Sequence, residues 1–168
     1  MVRADENPTL FYFQLAKMAF GAGLYGACTI YCACALEAFL RDFAVQYPLD
    51  TEKIDIDRNE AFLQLDRKDL LDTAKCHGLV SSSSREKCEQ IFLIRNGHAH
   101  YHRGLWKKTF RGLKCIGITE VHSIQLAHLV LGETHEILGE MLSQLEKIAR
   151  TGDSSARFLH ERLERALA

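Results

Sequence analysis

The chain has 168 residues, of which 47% are hydrophobic and 26% charged, with two prolines and a formal net charge of −1. That length suits one domain with a buried core and is short for two, so one helical domain over 1–168 is expected. The composition excludes a disordered or fibrous chain, and the near-neutral charge confines any attraction for a polyanion to local patches.

Asn7 followed by Pro8 is a helix start, with a capping side chain and then a proline where its missing N–H costs nothing. Helical signal runs from there to about Gln46, before Pro48, with room for a bend among Gly21, Gly23 and Gly26. Within it, "MAFGAGLYGACTIYCACAL" (18–36) carries no charge and approaches the roughly 20 residues that cross a bilayer. Its three glycines, its Ala and Cys in place of Leu and Ile, and the lack of a cationic flank argue instead for a buried helix. Ala22, Gly26, Ala27 and Ala33 would let another helix approach closely, in this chain or in a second subunit, which favours a homodimer. The six cysteines lie in apolar helical patterns, without the spacing of zinc ligands or a secreted scaffold; a reduced, cytoplasmic setting and no membrane association are expected.

"YPLDTEKIDID" reads as a polar connector. Asp57 with Glu60 and Asp66 with Asp69 are spaced as helix caps, so residues 58–76 form one interrupted helix or two short ones, stopped by Gly78. Ser83 with Glu86 is spaced as a capping box for the next helix. Residues 103–117, with three glycines, read as a loop or small hairpin. Thr119 opens a long helix reaching Arg150, with an interruption or bend near Gly132 or Gly139. Its stripe is Ile124, Ala127, Leu131, Thr134, Leu138, Met141, Leu145 and Ile148. A final helix, 155–167, presents Leu159, Leu163 and Leu167 on one side. The expected architecture is an all-α bundle of about four to five main helices, the long one in the C-terminal half.

The segment "IFLIRNGHAH" (91–100) does not fit a plain bundle. At 100° per residue, Cys88, Ile91, Phe92, Arg95 and Ala99 share a face, so Arg95 continues a buried stripe. A guanidinium keeps its proton and is costly to desolvate alone, so it needs an internal carboxylate or a polar cleft open to an anion. Asn96 is adjacent to it, His100 lies one turn beyond Asn96, and His98 and His102 flank the other side. "RNGHAH" at a helix end, together with "ALEAFLRDFA" in the first long helix, resembles the HEPN superfamily over about residues 20–150. Many members of that superfamily are metal-independent endoribonucleases, often toxins or antiviral effectors, working as dimers with facing motifs. By motif position the resemblance implies that Arg95, Asn96 and His100 are active-site residues and that no cofactor or metal is used. It also admits an antitoxin or regulatory protein as a partner.

The chemistry of these residue types agrees. RNA supplies its own nucleophile, the 2′-OH, so cleavage needs proton transfer, open to His100, and a cation on the scissile phosphate, open to Arg95; Asn96 would orient phosphate or imidazole. Glu37 is either a surface residue or a carboxylate that pairs with Arg95. Downstream, Arg103, Lys107, Lys108, Arg111 and Lys114 interleave with Trp106 and Phe110, a pattern that is either an RNA-contacting loop or a solvated basic turn. His98, His100 and His102 are two apart and do not stack as metal ligands on a helix do. The alternative function is a non-catalytic helical dimer that binds nucleotide, nucleic acid or a partner protein.

Overall fold

A computed structural model describes residues 7–47, 66–100, 109–110, 113–114 and 120–168, with side chains described except at 97–100, 109–110, 113–114 and 120–123. Among the described residues there are six helices, α1 (Pro8–Gly21), α2 (Tyr25–Gln46), α3 (Arg67–Cys76), α4 (Ser82–His100), α5 (Glu120–Ala149) and α6 (Ser154–Leu167). Two short strands, β1 (Thr109–Phe110) and β2 (Leu113–Lys114), pair antiparallel between α4 and α5. The protein is all-α, as the periodicity predicts, with one more helix than the expected four to five.

The extra helix comes from the uncharged run. Asn7 caps α1 by accepting from the Leu10 N–H at 3.1 Å, and Pro8 occupies its first turn. The helix then ends in a Schellman turn: the Leu24 N–H reaches the Ala19 carbonyl at 2.8 Å and the Gly23 N–H reaches Phe20 at 3.1 Å. Gly23 has φ +74°, where a Cβ would be strained, so the chain turns here and restarts as α2 instead of bending. Among the described residues no helix is long and apolar enough to cross a membrane. The expected small-residue face is also split, because Ala22 lies exposed in the turn while Ala33 is buried in α2.

Helix α2 is central and packs against every other described helix. Buried side chains from all six helices form one cluster in which Phe13, Phe39, Phe43, Leu70, Ile91, Leu138 and Leu163 are each at most 1% exposed. Such side chains contribute roughly 1.5–3 kcal/mol each. On α5, Ala127, Thr134, Leu138, Met141 and Leu145 are buried as the stripe predicts, but Ile124 is exposed and Leu126, Val130 and Ile137 join the core. The helix runs unbroken through Gly132 and Gly139, since neither has a left-handed backbone.

Polar contacts fix where α4 lies. Its cap is Ser81, not Ser83: the Ser81 hydroxyl accepts from the Ser84 N–H at 3.2 Å, while Ser83 and Glu86 are exposed. Glu140 of α5 accepts from the Ser81 N–H at 2.8 Å and from the Ser84 hydroxyl. Burial pushes the Glu140 carboxyl up, but these hydrogen bonds hold it below its ordinary value. Lys87 bridges Glu133 at 2.7 Å and Glu136 at 3.1 Å on α5, and Arg85 reaches Asp72 on α3 at 2.7 Å. The Asn7 side-chain amide donates to the Arg162 carbonyl at 2.9 Å, tying α1 to α6.

Candidate functional site

Helix α4 carries the stripe Cys88, Ile91 and Phe92, all buried, and Arg95 continues it half-buried at the edge of the core. Burial lifts the Cys88 thiol to about 12, so at neutral pH it is a packed thiol and not a nucleophile. The backbone of α4 remains helical through His100, one turn beyond Asn96. The side chains of His98 and His100 lie outside those described, as do those of Phe110 and Lys114 on the two strands. His102, Arg103, Trp106, Lys107, Lys108 and Arg111 lie outside the described residues altogether.

Arg95 faces a hollow of about 250 Å³ bordered by Tyr12 of α1 and by Cys34, Glu37, Ala38 and Arg41 of α2. Its Nη1 donates to Asn96 Oδ1 at 3.2 Å. Among the described residues no carboxylate pairs with it. The Cys34 thiol lies beside it: burial pushes that thiol up, and the charge and hydrogen bond of Arg95 pull in the opposite direction.

Glu37 is drawn elsewhere. Of the two readings of the sequence, a surface position or a pairing with Arg95, the structure shows neither: its Oε1 accepts from Arg41 Nη2 at 2.9 Å and its Oε2 from Arg67 Nε at 2.8 Å, and its side chain is 20% exposed. The reason is register: Arg41 follows one turn later on the same helix, and α3 brings Arg67 across from the other side. Burial raises the Glu37 carboxyl, but the hydrogen bonds and charges of the two guanidiniums together outweigh burial and leave it below its ordinary value.

Nothing in the sequence points to Arg67. Its guanidinium lies 5.2 Å from the Phe92 ring centroid, and its Nη1 donates to Asn96 Oδ1 at 3.1 Å. Asn96 thus uses one oxygen to hold two guanidiniums, whose Nη1 atoms can lie no more than about 6.3 Å apart. At an effective dielectric of about 20, two such charges repel by on the order of 2–3 kcal/mol before solvent screening. Three guanidiniums therefore converge on one carboxylate and one amide oxygen. An anion is the ligand such a cluster favours. A wider groove of about 590 Å³, which shares Glu37 and Arg41 with the hollow, opens between α2, α3 and α4.

No protein-family model, no curated protein and no solved structure matches the chain. The residues and their geometry are therefore the sole guide to function.

Proposed function

We propose that this protein is a metal-independent endoribonuclease of the HEPN type, acting as a homodimer whose two motifs form a composite site, in the role of a toxin or antiviral effector. The observation that carries the reading is Arg95: a half-buried guanidinium, held by Asn96, at the edge of a hollow and without a carboxylate partner among the described residues. An RNA phosphate supplies the missing negative charge. In the reaction the 2′-oxygen forms a bond to phosphorus while the bond from phosphorus to the 5′-oxygen breaks. One proton leaves the 2′-OH and another reaches the departing 5′-oxygen, with His100 of each subunit serving as base or acid. Arg95 offsets the charge that builds on the phosphoryl oxygens. Asn96, whose oxygen is committed to two arginines, acts by aiming them, leaving its N–H₂ to donate to the phosphate.

The test is RNA cleavage in the presence of a chelator by wild type, Arg95→Ala and His100→Ala, each checked for helical content. Products ending in 2′,3′-cyclic phosphate, and a loss of at least about 100-fold in both variants, are expected. Cleavage that survives both substitutions, or that requires added metal ion, refutes the proposal. A second reading, a non-catalytic dimer that binds nucleotide, nucleic acid or a partner protein, draws on the same cluster, because Asn96 Oδ1 is occupied as it would be in a structural network. Tight RNA binding without cleavage selects it.

A further inference from the structure

The groove between α2, α3 and α4 has its own chemistry. Its floor is apolar, with Leu71 and Phe92 at 1% and 4% exposure and Leu93 open at 38%. Its rim carries Arg67 and Lys68 at the start of α3 and Asn96 on α4. Three carboxylates also line it, and each is engaged: Glu37 with Arg41 and Arg67, Glu89 with Arg85 at 3.0 Å, and Asp66 as the α3 cap accepting from the Asp69 N–H at 2.9 Å. Lys68 is exposed and has no partner among the described residues. The groove's three cations, Arg41, Arg67 and Lys68, match its three carboxylates in number, and Lys68 is the one without a carboxylate partner among the described residues. The Arg67 guanidinium lies over the Phe92 ring, 5.2 Å from its centroid, and so sets a planar cation at the edge of the apolar floor.

We infer that this groove is a nucleotide subsite for single-stranded RNA, adjoining the hollow at Arg95. Arg67 and Lys68 take the phosphate next to the scissile one, and the base lies on the apolar floor against Arg67. The volume of about 590 Å³ falls within the range of sites that enclose a small organic ligand. Asn96 links the two compartments, since its oxygen holds Arg67 on one side and Arg95 on the other. A site of this kind reads unpaired bases by stacking and tracks the backbone by charge, so it accepts single strands and not duplexes.

The inference rests on the nuclease reading for its choice of RNA, and the experiment separates the two. Equilibrium binding of the full chain to uncleavable 2′-O-methyl oligonucleotides is measured by fluorescence anisotropy, comparing a dinucleotide with a trinucleotide. Wild type should bind the trinucleotide about tenfold more tightly, near the low end of what one stacked base contributes. Lys68→Glu and Arg67→Gln should reduce that gain to less than twofold, whereas Arg95→Ala should weaken both lengths alike. Lys68 is exposed, so its variant remains informative even if Arg67→Gln impairs folding. No length gain in wild type, or a gain that survives Lys68→Glu, overturns the subsite. The expected length dependence in a protein that does not cut unmodified RNA upholds the subsite and removes the nuclease reading alone.

Discussion

Replacing Glu37 by Gln keeps the shape of the side chain and deletes the carboxylate shared by Arg41 and Arg67. Two contacts are affected, 2.9 Å to Arg41 Nη2 and 2.8 Å to Arg67 Nε. Hydrogen bonds to a charged partner contribute roughly 1 kcal/mol more than neutral ones, and because Arg41 and Arg67 bind different oxygens of Glu37, Gln sets an N–H₂ donor against one of the two guanidiniums. The Glu37 side chain is 20% exposed, so solvent screening reduces the loss without abolishing it. The expected cost is about 2 kcal/mol at pH 7, or about 4–8 °C in Tm for a chain of this size. The pH dependence comes from the depressed carboxyl. Its folded pKa is below the ordinary 4.5, so its stabilisation is fully present above that value and is lost as pH falls through the folded pKa. Urea unfolding of wild type and Glu37→Gln at pH 7 and at pH 3 measures both quantities. A difference below about 0.5 kcal/mol at pH 7, or one that is as large at pH 3, refutes the assignment of Glu37 as the anion that holds this cluster.

Asn96→Asp places a carboxylate where one oxygen now holds two guanidiniums; it should stabilise the fold by about 1 kcal/mol while weakening RNA binding at least tenfold, as read by thermal denaturation and anisotropy. Undiminished RNA affinity in that variant would mean that Arg67 and Arg95 do not receive an anion together. Gly78 ends α3 with φ +70° and has open space where a Cβ would sit, so Gly78→Ala should cost about 1 kcal/mol through backbone strain alone. Asn at the same position should recover part of that loss in denaturant unfolding, because it tolerates the left-handed region better. Cleavage by wild type should fall steeply between 50 and 200 mM salt, as expected of phosphate contacts; a salt-independent rate would argue against charge as the source of binding.

The helices are legible in the sequence because their signals are local. Asn7–Pro8 and Asp66 with Asp69 act as caps, and Cys88, Ile91 and Phe92 form a buried stripe that Arg95 extends. The errors arise where two local signals compete or where a partner comes from afar. Four successive serines offer several caps, and Glu140, 59 positions away, selects Ser81 by accepting its N–H. The glycines around 21–26 can bend a helix or end it, and the left-handed Gly23 ends it. Arg41 is accessible in principle as the residue one turn after Glu37, but Arg67 is not. Its pairing with Glu37 spans 30 positions and its contact with Asn96 spans 29, and no spacing rule reaches that far.

The bond from the Asn7 amide to the carbonyl of Arg162 joins residues 155 positions apart, and the same side chain caps, through its oxygen, a first helix whose Leu10 and Phe13 are buried in the common core. During synthesis α1 can cap itself at Asn7 and pack on α2 as soon as both have emerged, but the Asn7 amide and the side of α1 that meets α6 stay open until α6 follows. Growth from the ribosome therefore yields an open bundle that latches late, and deletion of α6 should leave a chain prone to self-association, not a smaller working domain.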